Sequence, residues 1–234
     1  LYTWSSGTSH STPSVAGACA LVRQWFRNNA WSVPSPAMQK AFLVSGAAYM
    51  TGIGANDTLW SNSQGMGRVD LGRAFDAASR VRVDQTQLLS ATGATWSASG
   101  SIASSAAPFR VVLAWTDAPG ATTGNAFVNN LDLEVTVNGT LYRGNVFAGA
   151  NSMAGGAADV RNNLESVFLP AGTSGPFSII VRATNVAGDG VPGNGDTTDQ
   201  DFALVAYNAT AGTSGAANPV RTFSTAPLVP AVAL

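Results

Sequence analysis

From about residue 82 onward, apolar and polar residues alternate with a period of two, between short clusters of Gly, Pro, Asn and Ser. In the run from Leu131 to Val137 every second residue is apolar, which is typical of a strand with one buried face. The pattern predicts seven strands, over residues 83–90, 94–101, 108–116, 131–137, 163–168, 176–183 and 201–208. Because no helical segment separates these strands, they favour an antiparallel sandwich or jelly roll.

The first 81 residues have helical periodicity instead. Residues 12–29 predict a helix that is apolar on nearly all sides up to Arg23, and we therefore expect it to be buried for most of its length. A second helix is predicted to begin at Pro36, and a short third one to follow Asp70. The sequence thus predicts three regions, which are residues 1–81, residues 82–208 and an Ala/Thr/Pro-rich tail over residues 209–234.

The most distinctive stretch of the chain is the run of small residues between Ser6 and Gly17. Pro13 suits the first turn of a helix, which predicts that Ser9 lies at or just before the helix N-terminus. Free backbone N–H groups collect there, so a serine hydroxyl could attack a carbonyl while those groups stabilise the oxyanion. From the residues alone, an ordinary capped helix start is the simpler explanation, because Ser and Thr are favoured N-cap residues.

The same stretch resembles the motif around the nucleophilic serine of the subtilisin-like serine proteases, the subtilases. The residues that stand where this motif has them are Gly7, Thr8, Ser9, Thr12, Pro13, Val15, Ala16 and Gly17. His10 departs from the motif, because many members have methionine there, but the nucleophile is intact.

A later turn, formed by Gly65, Gly67, Val69 and Asp70, also resembles one that follows the serine helix in the subtilases. Together the two resemblances imply that residues 1–81 are the C-terminal part of an α/β catalytic domain. They also imply that Ser9 is the catalytic nucleophile, in a turn formed by Gly7, Thr8 and Ser9.

Three motifs in the second half resemble, in order, the C-terminal β-barrel of a subtilase branch known for oxidatively stable alkaline proteases. They are Trp115–Pro119, Val128–Leu133 and Arg161–Glu165. That barrel is distantly similar to the P domain of proprotein convertases, so the resemblance implies an all-β antiparallel jelly roll.

The barrel resemblance also implies a structural calcium ion, because related barrels often hold one at positions that match Asp117, Asn130 and Asp132. Relatives have aspartate where this chain has Asn130, so the site would carry one charge fewer. Turn hydrogen bonds from Asp117 and Asn130 are an equally good explanation.

The subtilase resemblance leaves a gap in the catalytic machinery. Subtilases use Asp, His and Ser in that chain order, together with an Asn that donates to the oxyanion. None of the first eight residues is Asp, His or Asn, and His10 points away from Ser9 because each helical step turns by about 100°. The resemblance therefore implies an upstream segment of the same protease that carries Asp, His and Asn, without which this chain would be inactive.

Several further expectations follow from the resemblance. The enzyme would be secreted and would act on protein or peptide substrates. The alternative is an inactive or structural piece derived from a subtilase, whose β-domain stabilises its neighbour or binds a partner. One such partner could be a carbohydrate, if Trp96, Trp115, Tyr142 and Tyr207 formed an exposed row.

Composition excludes other classes of function. The net charge of −1 and the absence of a basic cluster argue against nucleic-acid binding, and no apolar run is long enough to span a membrane. The single cysteine, Cys19, cannot form an intrachain disulfide and has the apolar neighbours of an inert core thiol. The acidic stretch 188–201 is predicted to be a solvated hairpin loop rather than a metal site.

Overall fold

The computed structural model describes residues 3–215, so the predicted tail from residue 216 onward lies outside the described residues. The described chain contains three helices, α1 (Thr8–Asn28), α2 (Pro36–Gly46) and α3 (Leu71–Ala74). It contains ten strands, β1 (Arg80–Leu89), β2 (Thr95–Ile102), β3 (Phe109–Ala114), β4 (Asn130–Val137), β5 (Thr140–Ala148), β6 (Asn151–Ala154), β7 (Leu164–Leu169), β8 (Pro176–Asn185), β9 (Gln200–Tyr207) and β10 (Ala209–Gly215). None of these helices is both long enough and apolar enough to cross a membrane.

The strands form two antiparallel sheets. The four-stranded sheet has the order β1-β9-β3-β7, and the six-stranded sheet has the order β10-β2-β8-β4-β5-β6. All seven predicted strands are present, with ends that shift by up to three residues. The sequence analysis missed β5, β6 and β10, the last of which pairs with β2 at the edge of its sheet.

The molecule has two apolar cores, one on each side of the four-stranded sheet. Phe109, Val111 and Leu113 of β3 point between the two sheets, where they meet residues of β2, β4 and β8. Val112 and Ala114 of the same strand point to the other side and pack with the helices. Strands β7 and β9 are buried at every position for the same reason, because both of their faces are covered.

The α/β part of the predicted fold class is wrong. Only 17% of the described residues are helical, and every pairing between named strands is antiparallel. An α/β domain needs parallel strands beside its helices, but residues 47–70 form a loop with isolated bridges such as Ala48–Arg68. The helices pack instead on the outer face of the four-stranded antiparallel sheet, and the two facing sheets agree with the predicted sandwich.

The first helix also departs from its prediction. α1 begins at Thr8, so Pro13 lies inside it rather than in its first turn, and Ser9 is its second residue. Residues 8–17 are exposed, and burial begins only at Ala18. The expected burial over most of the helix is therefore wrong, because no other described element covers its first half.

Polar contacts fasten the helices to the four-stranded sheet. The Arg110 guanidinium of β3 donates to the carbonyls of Ala47 (2.6 Å) and Ser45 (3.3 Å) at the end of α2 and lies 4.3 Å from the Phe168 ring centroid. Arg80 of β1 donates to the carbonyl of Arg73 at 2.6 Å. These contacts hold α2 and α3 in fixed positions on the sheet.

Candidate functional site

The N-terminus of α1 presents Ser9 on the surface of the molecule. Gly7 is the N-cap residue and has a φ of 140°, a backbone conformation that favours glycine. Its carbonyl accepts hydrogen bonds from the backbone N–H groups of His10 (3.0 Å) and Ser11 (3.3 Å). The chain therefore turns sharply at Gly7 and places Ser9 in the first helical turn.

Ser9 differs from the other hydroxyl residues that follow it along this helix. The hydroxyls of Ser11, Thr12 and Ser14 donate to the carbonyls four residues earlier, at 3.4, 2.8 and 3.0 Å. The Ser9 hydroxyl makes no hydrogen bond with any residue in the described range 3–215. Of these four hydroxyl groups, that of Ser9 is therefore the one available to react with an external carbonyl.

The backbone N–H of Ser9 is also available. As the second residue of the helix it has no intrahelical acceptor, and within residues 3–215 no other carbonyl accepts from it. The positive end of the helix dipole adds to the electrostatic potential at this point. A free hydroxyl and a free N–H on one residue are the two groups that an attacking serine and an oxyanion donor require.

His10 does not serve Ser9 as a base. It is exposed, and its Nε2 lies 2.7 Å from the Ser5 hydroxyl, with no described contact to Ser9. Among residues 3–215, no acid or base forms a hydrogen bond with Ser9, so the described site holds a candidate nucleophile without a general base in contact with it.

An apolar groove runs beside the exposed half of α1. It has a volume of about 460 Å³, and its walls come from α1, α2 and the turn after residue 65. Each of these elements contributes apolar side chains to the walls, which include Val15, Cys19, Leu43, Val44, Met66 and Val69. Lys40 lies at this groove and donates to Asn163 Oδ1 at 3.0 Å, and partial desolvation of its ammonium group lowers its pKa.

The turn that resembles the second subtilase motif has a structural role. Gly67 has a φ of 108°, and a Cβ there would lie 2.6 Å from the Ala48 carbonyl oxygen. Asp70 caps α3 by accepting from the backbone N–H of Arg73 at 3.1 Å. The glycine allows close approach to the chain after α2, and the aspartate starts the next helix.

The residues predicted to bind calcium fall into two sets. Asp117 accepts backbone N–H bonds from Ala118, Val128 and Asn129, each at 2.8 Å. Asn130 donates to Asp132, and Asp132 also accepts from Thr184 at 2.6 Å. Within residues 3–215, no group of three or more Asp, Glu, His or Cys side chains is placed to hold a metal ion.

Asn129 and Asp117 organise the end of the sandwich. Asn129 is buried, accepts from the backbone N–H groups of Ala187 and Gly188, and donates to Gln200 Oε1 at 2.9 Å. The motif residues 117 and 128–130 thus fasten the loops before β4 and β9 to each other. The sequence motif pointed to these residues by resemblance, but their role in joining the loops was missed. A buried side-chain amide that bonds to residues far away in the sequence leaves no regular spacing by which it could be recognised.

Glu165 is a buried acid that sequence reasoning did not single out for a role. It is 1% exposed, and its Oε2 accepts from the backbone N–H of Leu133 at 2.7 Å, where β5 leaves β4. Its Oε1 is buried without a partner among the described residues. Burial raises the pKa of Glu165 to about 9, so the side chain is a neutral acid at neutral pH.

The aromatic residues of the β-half do not form an exposed row. Trp96, Trp115 and Tyr207 are buried, and Tyr142 is half-buried against the core between the sheets. The aromatic platform that a carbohydrate-binding module would need is therefore not built from these four residues.

Comparison with known families supports the N-terminal resemblance. The sequence model of the subtilase family matches residues 1–67, which include α1, α2 and most of the loop after them. No curated protein matches the chain. Residues 1–67, which contain the exposed Ser9, are therefore similar to the subtilase family.

Proposed function

We propose that this chain supplies the nucleophile of a secreted, subtilisin-like serine endopeptidase. The observation that carries the proposal is the state of Ser9 at an exposed helix N-terminus, where neither its hydroxyl nor its backbone N–H has a partner among residues 3–215. Three neighbouring hydroxyls are held by helix carbonyls, so Ser9 is distinguished by geometry as well as by its motif. The match of residues 1–67 to the subtilase family supports the same assignment.

The chemistry follows from these groups. The Ser9 Oγ attacks the scissile carbonyl carbon, and its proton passes to a histidine that an upstream segment of the protease contributes. The carbonyl oxygen becomes an oxyanion, to which the Ser9 N–H donates together with an asparagine from the same segment. The C–N bond breaks, the amine leaves with the proton, and water hydrolyses the acyl-enzyme on Ser9.

The surface of α1 supports the proposed upstream segment. Residues 8–17 are exposed, and the apolar groove beside them includes Val15 and Cys19. Val15 and Leu21 are 41% and 51% exposed, although helices with apolar residues on nearly all sides are normally buried. An upstream segment that packs here would bury this surface and bring its aspartate and histidine to Ser9.

The proposal is tested by peptide hydrolysis. The full chain alone should not cleave peptide substrates, whereas the chain combined with its upstream segment should. Ser9→Ala should lower the rate of the combined protein by about 10⁴-fold or more, because the covalent pathway is lost. The matched control is Ser11→Ala, whose hydroxyl is bound to Gly7 O, and it should keep most of the activity. If the chain alone hydrolysed peptides, and if Ser9→Ala abolished that activity, no upstream segment would be needed and this part of the proposal would be contradicted.

A second candidate function is that of an inactive, stabilising piece. The observation in its favour is that no acid or base among residues 3–215 contacts Ser9. In that case the sandwich would serve to brace the helices through contacts such as Arg110 to Ala47. Full activity of Ser9→Ala in the combined protein would favour this function over the first.

A structural calcium ion is a further part of the proposal. Asn130 and Asp132 lie side by side and could offer an amide and a carboxylate oxygen, whereas Asp117 would have to share its oxygens with three backbone donors. If calcium binds there, it should raise the melting temperature relative to a chelator in the wild type but not in Asp132→Asn. Equal melting curves with calcium and with chelator would contradict this part of the proposal.

A further inference from the structure

A cavity on another part of the molecule has two carboxylates facing into it. It has a volume of about 730 Å³ and lies between the start of α2, the middle of β1 and the loop before β9. Asp84 and Asp201 are its acidic residues, and they come from adjacent strands of the four-stranded sheet. None of the described residues that line it is Lys, Arg or His.

Neither carboxylate is neutralised within residues 3–215. Asp201 is 3% exposed, its Oδ1 accepts from the Gln85 amide at 3.1 Å, and no described donor reaches its Oδ2. Asp84 Oδ2 accepts from the backbone N–H of Ser35 at 3.1 Å, whereas Asp84 Oδ1 is buried without a partner. Neither side chain forms a salt bridge with a described residue. The buried Asp201 and the half-buried Asp84 thus line one cavity, and each has one carboxylate oxygen without a described donor.

Such an arrangement is costly without a cation. Burying carboxylates near each other without a positive partner destabilises the charged form of both. The pKa of Asp201 shows this cost. Burial raises this pKa to about 6, and the negative charges of Asp199 and Asp84 contribute to the increase. A cation inside the cavity would offset the repulsion.

The walls indicate which kind of cation fits. Val33, Pro36, Val191 and Pro192 provide apolar surface. Serine and threonine residues add hydroxyl groups to the walls. A volume of about 730 Å³ is much larger than a metal ion but within the usual range for sites that bind small organic molecules. An aliphatic stem would lie along the apolar walls while its charged end meets the carboxylates.

We propose that the cavity between α2, β1 and the loop before β9 binds an organic cation, an ammonium or guanidinium group on an aliphatic stem, of the kind that Lys and Arg side chains carry. The site is independent of Ser9, so the proposal stands or falls separately from the proteolytic function. It assigns Asp84 and Asp201 the role of binding residues.

The test is a calorimetric titration of the full chain with n-butylguanidinium and n-butylammonium at about pH 7.5 and low salt. Saturable one-to-one binding of at least one of them is expected, with a dissociation constant of about 1 mM or lower. The neutral analogue n-butylurea should not bind. Asp201→Asn and Asp84→Asn should each weaken binding by about tenfold or more, because each removes a charged partner.

The matched control is Asp196→Asn, which removes one negative charge from an exposed position outside the cavity and should change the affinity by less than about twofold. The wild-type pH profile provides a readout that needs no variant. Affinity should rise about tenfold between about pH 5 and pH 7.5 as Asp201 ionises. The titratable groups that bear on this profile are Asp84 on β1, Asp199 and Asp201 at β9, and Asp189 in the preceding loop.

Several results of this titration would overturn the proposal. They are the absence of binding by both butyl cations up to about 10 mM, equal binding by n-butylurea, and unchanged affinity in folded Asp201→Asn. Binding of calcium in place of both butyl cations would also overturn it, because the cavity would then be a metal site.

Discussion

At the scale of single residues, polar side chains differ in whether described residues satisfy their hydrogen bonds. The exposed Ser9 hydroxyl has no partner within residues 3–215, whereas the hydroxyls of Ser11, Thr12 and Ser14 are bound to the helix backbone. Glu165 is the opposite case, a carboxyl group buried at the seam where β5 leaves β4. Gly144 permits this burial, since a Cβ there would lie 2.1 Å from Glu165 Oε2.

Glu165 should make the stability of the molecule depend on pH. A folded-state pKa of about 9, against an ordinary value of 4.5, means that the folded chain binds this proton more tightly than the unfolded chain. The stabilisation is fully present below about pH 4.5 and is lost as the pH rises towards about 9. Glu165→Gln keeps an acceptor for Leu133 but does not ionise. Its melting temperature should exceed that of the wild type by a few degrees near pH 8.5 and approach it near pH 5, as measured by circular dichroism.

Glu165→Leu is the comparison for that experiment. It also removes the ionisable group, but it leaves the buried Leu133 N–H without an acceptor, so its melting temperature should lie below that of Glu165→Gln at every pH. Parallel pH profiles for the wild type and Glu165→Gln would show that Glu165 does not titrate in the folded chain as described.

At the scale of elements, the polar contacts between β3 and α2 decide how firmly the helices are held. Arg110 satisfies the carbonyls of Ser45 and Ala47, which the helix end leaves without intrahelical donors. Burial lowers the pKa of Arg110 to about 10, but the group stays charged at neutral pH. Its stacking on Phe168 places the guanidinium against the sheet as well as against the helix.

Arg110→Met should therefore destabilise the molecule by about 2 kcal/mol, because two carbonyls lose a charged donor while the aliphatic packing is retained. The measurement is the midpoint of urea unfolding. Arg161→Met, at an exposed loop position, is the control and should change the free energy of unfolding by less than about 0.5 kcal/mol. Equal midpoints for the two variants would contradict a fastening role for Arg110.

Elements could be predicted from the sequence where their periodicity was regular. Strands β4 and β8 were predicted because apolar residues alternate along them. Strand β5 was missed because Gly144 and Asn145 in its middle have the signature of a turn. They occur there for tertiary reasons, as Gly144 makes room for Glu165 and Asn145, at φ 59°, donates to Asp159 and to the Leu164 carbonyl.

The candidate sites were predictable to different degrees for a similar reason. Ser9 lies in a local motif, so the seven other motif residues around it single it out. Asp84 and Asp201 meet only because β1 pairs with β9, and no local pattern connects positions so far apart. The exposure of α1 was also unpredictable, since its composition is that of a buried helix and what covers it depends on other segments.

At the scale of the whole molecule, the four-stranded sheet belongs to both cores. Its inner face packs against the six-stranded sheet, and its outer face packs against the helices through Val112, Phe168 and Val205. This sharing explains why the chain is not an α/β unit followed by a separate sandwich core. The domain boundary near residue 81 and the division of the chain into three regions stay predictions.

The shared sheet predicts cooperative unfolding. Calorimetry of the full chain should show one transition in which the calorimetric and van't Hoff enthalpies agree, because the helices cannot leave without exposing the outer face of β9. Two separated transitions, one of them abolished in a chain that lacks the helices, would show that residues 1–81 and the sandwich fold independently.

The role of Ser9 as the nucleophile is tested by covalent labelling with a fluorophosphonate, followed by intact-mass analysis and mapping of the adduct. The probe reacts with a serine that is activated as a nucleophile. In a preparation from the native source, we expect one adduct, located on Ser9, together with a co-purifying polypeptide that carries the aspartate and histidine. Ser11→Ala should label like the wild type. An adduct on another residue, or no adduct on Ser9 when that polypeptide is present and assembled, would contradict the assignment of Ser9 as the nucleophile.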